Sequence, residues 1–369
     1  MWPRRRTPRL SVVVPVYRVE AWLPACLDSV LGAGLRDLEV VVVDDGSPDG
    51  SGEIAEQYAA RDRRVRVIHT VNQGLGAARN EGLRHTQGAF VGFADSDDVV
   101  PPTAYDALVG SLETSGADFV TGSIVRWEDG RLIEPRWMKR MHEHRRLAVS
   151  AADHPEILGD VFAWNKVFRR EFWDRADLAW PEGVRYEDQP ATTRAYLSGR
   201  FDVIPEVVYH WRIRDDGTSI TQQRASLQDL EDRILTKRWA LASVRELGGP
   251  EVQDVFVHRV LAGDLWRYLK EIPGCPDDWW QRLHAMVAEF WDGPVLMATG
   301  LPPVHRLTAW LVLQDRRDDA TRLMEYVAAR TSPPPRLADG DDRLLDLPLD
   351  VLDPTTVPRE VLLLRPTET

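Results

Sequence analysis

Four short runs of β-branched and apolar residues, LSVVVPVY at 10–17, LEVVVV at 38–43, VRVIH at 65–69 and FVGFA at 90–94, alternate with segments of helical spacing at 21–31, 50–60 and 74–84. Runs that are apolar on both faces need cover on both sides, which parallel central strands obtain from crossover helices. The β-α-β-α-β-α-β order therefore predicts an α/β, Rossmann-like, mostly parallel sheet flanked by helices, with right-handed crossovers. Ligands of such sheets bind beyond the carboxyl ends of the strands. Three loops, at 15–17, 44–47 and 95–98, converge on that edge.

Farther along, a helix is expected at 103–115, a strand at 118–122 and two closing strands at 201–204 and 207–213. The stretch 126–146 interleaves Trp127 and Trp137 with Lys139, Arg140, Arg145 and Arg146 and lacks a clear period. From residue 226 the texture changes to long helical patterns at 227–247, 251–270 and 277–291, with a last one running to 330. Their tryptophans, at helical spacing, are expected in the core. The expected domains are 1–225, catalytic and α/β; 226–330, helical; and 331–369, a Pro-rich linker and tail in which 361–364 could add an edge strand.

The 369 residues suffice for two ordinary cores. A net charge of −12 argues against a nucleic-acid binder, which needs a basic surface to displace counterions. Two distant cysteines, Cys26 and Cys275, provide neither a zinc motif nor a disulfide framework and suggest a reducing compartment. No window reaches the length of a membrane span, so a cytoplasmic protein is expected. The basic N-terminus MWPRRRTPR leaves peripheral attachment to the inner face of the membrane open, and the oligomeric state is open as well.

The stretch AFVGFADSDDVVPP places Asp95, Asp97 and Asp98 within one turn after a buried strand. Three carboxylates so close require a positive partner or full hydration, and a hard divalent cation prefers carboxylate oxygens. The alternative is a polar turn capping the next helix. Asp44 and Asp45 end another strand; a carboxylate there can accept from the imide or amide N–H of a pyrimidine, or simply close an Asx turn. NQGLGAARNEG at 72–82 supplies glycines where backbone must approach closely, and Arg79, whose planar fork suits a diphosphate. Its GxGxxA is a poor dinucleotide fingerprint, because it follows the third strand and lacks the last glycine.

Taken together, SVVVPVYRVEAWLPACLDSVL, LEVVVVDDGSPDGS, NQGLGAARNEGL and GAFVGFADSDD resemble the nucleotide-binding half of the family 2 glycosyltransferases, closely over the first hundred residues and more loosely through 221. The resemblance implies the glycosyltransferase-A fold, a nucleotide-diphosphate-sugar donor, most readily a UDP-sugar, and Mn2+ or Mg2+ on its diphosphate. It puts Pro15 and Tyr17 beside base and ribose, Asp45 on the base, Arg79 in the nucleotide region, and Asp95 and Asp97 at the DXD positions, with Asp97 the direct metal ligand. Glu187 and Asp188 match the family's acidic pair, and Asp188 takes the place of the general base of an inverting transfer; both acids would also suit the first turn of a helix. Gln189 and Pro190 depart from the family's bulkier residues.

His210 is expected either as a further metal or phosphate contact or as a packed histidine at a strand end, and RDDGTSIT at 214–221 resembles the family's loop that closes over the diphosphate. WNKVFRRE, RYEDQ and YHWRIRDDGTSIT resemble the transferases that decorate teichoic acids and other polyol-phosphate polymers, and the glycosyltransferase portions of CDP-glycerol glycerophosphotransferase fusions. That likeness implies hexosyl or N-acetylhexosaminyl transfer to an anionic or glycan acceptor held by Trp164, Lys166 and Arg169. Two alternatives stand beside it: a polyol-phosphate transferase with a CDP-activated donor, and a nucleotide-sugar-binding protein without catalysis.

Overall fold

The computed structural model describes residues 7–214 and 225–368. The chain divides into two compact units, Met1–Thr218 with Ala242–Gly249, and Ser219–Leu241 with Pro250–Thr369.

The first unit is built on a nine-stranded sheet. Strands β1 (Leu10–Val16), β2 (Leu38–Asp44), β3 (Val65–His69) and β4 (Phe90–Phe93) are the four runs expected from sequence, and they pair in parallel in the order β3-β2-β1-β4. Helices α1 (Leu23–Leu31), α2 (Ser51–Arg61) and α3 (Leu75–Arg84) connect them. Val12, Val14, Val40 and Val42 are fully buried in the main core, together with Leu23, Leu27 and Val30 of α1. After β3 the chain returns across the sheet to place β4 on the other side of β1. That reversal opens a crevice at the carboxyl ends of β1 and β4, the position where doubly wound sheets bind ligands.

The remaining half of the sheet is mixed. After α4 (Ala104–Ser115) come β5 (Phe119–Glu128), the short β6 (Arg131–Ile133), α5 (Arg136–Met141) and β7 (Arg146–Val149). Then follow β8 (Lys166–Arg169), α6 (Arg170–Arg175), α7 (Asp188–Ser198) and β9 (Phe201–Arg212). β8 runs antiparallel between β4 and β5, and β9 lies parallel to β5. The expected pair of closing strands is one continuous strand: Pro205 and Glu206 bow outward where the register with β5 slips, and pairing resumes beyond them. The stretch 126–146, irregular by pattern, holds a β5–β6 hairpin and α5.

The second unit is helical, from the part of Leu227–Leu247 that ends at Leu241 through Arg317–Ala328. Trp279, Trp280 and Trp291 are buried, whereas Trp239 is exposed. At the tail, residues 336–345 form a two-stranded hairpin. The edge strand expected at 361–364 is instead a helical turn, Arg359–Leu362, followed by a single bridge from Leu363 to Leu344. Buried Arg306 donates to the Leu363 carbonyl (3.0 Å) and pairs with Glu368 (2.9 Å), taking an acceptor that a longer ladder would use. None of the described helices is long and apolar enough to cross a membrane.

Candidate active site at the carboxyl edge of the sheet

The acidic turn after β4 has the positive partners that its charge requires. Asp95 accepts from Arg79 Nη2 at 2.7 Å, Asp97 accepts from Arg214 Nε at 2.7 Å and Nη2 at 2.6 Å, and Asp98 accepts the backbone N–H of Arg212 at 2.7 Å. The Arg212 side chain donates to the Asp97 carbonyl (2.7 Å) and lies over the Trp127 ring; Arg214 lies over Trp22. The backbone N–H of Asp95 donates to the Tyr209 hydroxyl at 2.9 Å, so β9 braces the turn from outside the parallel half. Even so, burial pushes Asp97 up, against Arg214 and with help from Asp95. Burial pushes Asp98 up further, with Asp97 and Asp95 adding to it. The same charges join burial in raising the Cys26 thiol, which keeps it an inert, protonated donor.

Arg79 is 2% exposed and is held from both sides: Asp95 on one, and Glu187, through Nη1, on the other. Against the penalty of burial, Asp95, Glu187 and Asp188 raise its already high pKa. The guanidinium thus ties the acidic turn to the acidic pair, although the two motifs lie far apart in sequence. Glu187 caps α7, is 4% exposed, and is pushed up to about 7 by burial, opposed by Arg79 and reinforced by Asp188. Asp188, the first residue of α7, is only partly buried. Of the two acids, Glu187 anchors Arg79 and Asp188 is the less buried.

The approach of α3 is set by glycine. Gly74 takes φ +91° just before the helix, in the region open to glycine, and a methyl at Gly76 would overlap the Pro181 carbonyl oxygen. Gly76→Ala is expected to lower stability by about 1–3 kcal/mol in urea titration, since backbone must move to admit it.

Several expected site residues have other duties. Pro15 is buried in β1, and Tyr17, just past its end, is 45% exposed. Asp45, expected against a base, is 3% exposed and accepts from Thr70 Oγ1 (3.0 Å) and from the N–H groups of Gln73 and Gly74 (both 2.9 Å). It orders the loop before α3. Its neighbour Asp44 accepts from Ser47 N–H and contacts His69.

His210 exchanges backbone hydrogen bonds with Val99, while the preceding residue, Tyr209, faces the acidic turn; alternation along the strand sends the imidazole to the other face. Among the described residues no three acids, histidines or cysteines cluster as a metal site, so His210 does not complete one with Asp95 and Asp97. The acceptor-side residues are corrected as well. Trp164 is 6% exposed, stacked between Phe162 and Tyr209 at 4.4 and 4.1 Å. Lys166 is fully buried on Asp160, and Arg169 donates to the carbonyls of Ala117 and Leu112. The loop at 214–221 lies outside the described residues beyond Arg214. Asp160 lies outside every motif read from the sequence, and the partners of Tyr209 and Arg214 in the acidic turn could not be read from YHWRIRDDGTSIT, because no local pattern links them.

Asp95 and Asp97 fit a divalent cation. They are hard oxygen donors on a rigid strand end, and Asp97 is desolvated enough that a charge denser than a guanidinium would stabilise it.

Comparison with known proteins agrees with this geometry. Residues 11–174 match the family model for glycosyl transferase family 2. The chain is 35% identical over 220 residues to EpsJ of Bacillus subtilis, an uncharacterized glycosyltransferase, covering 58% of this chain and 63% of EpsJ. It is 28% identical over 215 residues to the poly(ribitol-phosphate) beta-glucosyltransferase of Bacillus spizizenii, covering 57% of this chain and 33% of that protein. The chain thus spans less than two thirds of the length of these relatives. Among solved structures, S. aureus TarS 1-349 in complex with UDP-GlcNAc superposes with a TM-score of 0.71 at 20% identity, over 92% of this chain and 96% of that one. Residues 11–174 thus match glycosyl transferase family 2, and the scaffold that carries them has the fold of TarS, the glycosyltransferase-A fold.

Proposed function

We propose that the protein is an inverting, metal-assisted glycosyltransferase that moves a hexosyl or N-acetylhexosaminyl group from a UDP-sugar to an acceptor hydroxyl. The observation that carries this reading is the Arg79 bridge, which brings the Asp95–Asp97 turn and the Glu187–Asp188 pair to one crevice at the strand ends. A sugar transfer with inversion needs a leaving-group stabiliser and a base on opposite sides of the anomeric carbon. Asp95 and Asp97 would hold the cation, which supplies charge to the departing diphosphate. Asp188, partly exposed beside a buried Glu187, takes the proton of the acceptor hydroxyl. Tyr17 offers an exposed ring beside the base or ribose.

The UDP-GlcNAc complex of TarS supports a uridine donor, and the poly(ribitol-phosphate) relative supports an anionic polyol-phosphate or other envelope-glycan acceptor. The test is calorimetric titration of UDP, CDP, GDP and dTDP, each with and without Mn2+, on the wild type and Asp97→Ala. UDP is expected to bind best and only strongly with Mn2+, and Asp97→Ala to weaken that binding more than about 100-fold, beyond what loss of an outer-shell partner does. Preference for CDP would favour transfer of a polyol phosphate. Binding unaffected by the metal or by the substitution would remove Asp97 from the diphosphate site.

A further inference from the structure

Lys166 lies in a buried polar cluster that the functional reading leaves unused. Its side chain is fully inaccessible, and the three protons of its ammonium have three acceptors: Asp160 Oδ1 at 2.9 Å, the Phe162 carbonyl at 2.8 Å and Asn165 Oδ1 at 2.9 Å. Asp160, also inaccessible, accepts in addition from Thr121 Oγ1 (2.6 Å), Asn165 Nδ2 and Tyr196 Oη (3.3 Å), and contacts His142 Nε2 at 3.2 Å. The other ring nitrogen of His142 meets the Ile204 carbonyl. Four elements of the mixed half meet in this cluster: β5 through Thr121, β8 through Lys166, β9 through Ile204 and α7 through Tyr196. A buried pair is poor evidence of a gain in stability, because hydrophobic residues of similar shape often do as well. What the pair does impose is geometry on the residues around it.

That geometry leads to Asp188. Asp188, Thr192 and Tyr196 follow one another at i, i+4 and i+8 along one face of α7. Tyr196 reaches Asp160, and its ring lies 5.4 Å from the Lys166 ammonium. One turn nearer the helix start, Thr192 Oγ1 contacts the Asp188 carbonyl at 2.9 Å and the Val161 carbonyl at 3.2 Å. Lys166 in turn fixes the 160–165 segment, Phe162 included, by its three hydrogen bonds. The first turn of α7 is thus fastened, face by face, to the segment that Lys166 organises. The ammonium also feels the field of Asp188: burial pushes Lys166 down, and the charges of Asp160 and Asp188 oppose that.

We propose that Lys166 is a positioning residue for Asp188: through Asp160 and the 160–165 segment it fixes the first turn of α7 and places a positive charge behind the base. This rests on Asp188 being the base. Two cations feel the charge of Asp188, Lys166 from β8 and Arg79 from α3, with Glu187 the acid beside it in sequence; Asp160, His142 and Tyr196 lie around Lys166. A nearby positive charge favours the carboxylate and so extends the base's working range toward acid.

The test is the pH profile of kcat/KM for UDP release, using whichever of UDP-glucose, UDP-galactose, UDP-GlcNAc and UDP-GalNAc the wild type turns over. The variants are Lys166→Met, Lys166→Met with Asp160→Asn, and Thr192→Val. The double variant removes the carboxylate that Lys166→Met would leave buried and unpaired, and so keeps the test open if the single variant does not fold. Lys166→Met is expected to move the acid limb up by about one pH unit. The double variant is expected to move it in the same direction by less, and Thr192→Val, which changes no charge, to lower the rate without moving the limb. A folded Lys166 variant with reduced rate and an unmoved acid limb would overturn the proposal, as would failure of both Lys166 variants to fold. Asp188→Asn separates this outcome from the reading beneath it: if that variant keeps its activity, the base assignment falls, whereas an inactive Asp188→Asn with an unmoved limb in Lys166→Met sinks only the role of Lys166.

Discussion

Asp188→Asn is expected to lower kcat by about 10²- to 10⁴-fold, the range for loss of a positioned general base, while UDP affinity in the presence of Mn2+ stays near the wild-type value. The amide keeps the size of the carboxylate and the start of α7, so the loss would report proton transfer and not the fold. Glu187→Gln is the informative control. Glu187 is 4% exposed and engaged with Arg79, so its amide would disturb the bridge, lowering stability and nucleotide affinity together. A kcat defect confined to Asp188→Asn, with unchanged affinity and melting behaviour, assigns the proton to Asp188. Equal defects in both variants would mean that the two acids act only as a structural unit. Steady-state kinetics combined with the calorimetric titration distinguishes the two results.

The largest effect on stability is expected at Arg79. Arg79→Met leaves Asp95 and Glu187 without their shared cation in a site that is almost closed to water, and breaking a buried pair in this way removes about 3–5 kcal/mol. The loss should depend on pH. Glu187 is raised from an ordinary value of 4.5 to about 7, mainly by burial. A carboxyl raised on folding contributes stability that is full below its unfolded value and is lost as pH rises through its folded one. Removing Arg79 takes away the group that opposes the rise and lifts Glu187 higher still, so the penalty of Arg79→Met should be flat up to about pH 6 and grow from there to about pH 9, as the wild-type Glu187 ionises through about 7 and the variant's does not. Urea titrations at the two ends of that window check this, and adding Glu187→Gln should recover part of the loss at the upper end. A penalty independent of pH, or no recovery in the double variant, would mean that Arg79 acts by packing alone, through its place over Trp180.

The parallel half of the fold was legible because its signal is local. Val12, Val14, Val40 and Val42 lie in runs that are apolar on both faces, and such runs have few stable arrangements apart from a sheet covered by helices. The acidic turn was legible for a similar reason, since three neighbouring carboxylates demand a cation whatever the rest of the chain does. The mixed half was not. Pro205 and Glu206 read as a break between two strands, yet β9 bows outward there and resumes, because pairing with β5 on both sides outweighs the local interruption.

Side-chain assignments at the site failed where the partner was distant. WNKVFRRE reads as a basic and aromatic surface, and nothing within it reveals that Lys166 meets Asp160, that Arg169 satisfies two carbonyls at the end of α4, or that Trp164 is stacked under Tyr209. Asp45 likewise reads as an open acceptor until the backbone of Gln73 and Gly74 is seen to take it.

By itself, then, the sequence determined the β-α alternation, the edge on which a ligand site must form, and the residue types gathered there, since each follows from periodicity and charge within a few residues. Only the tertiary structure decided which cation neutralises which carboxylate, and hence that Arg79 joins Asp95 to Glu187. The reason is that a buried charge must find a partner in space, and the partner's place in the sequence is set by strand order rather than by any local pattern.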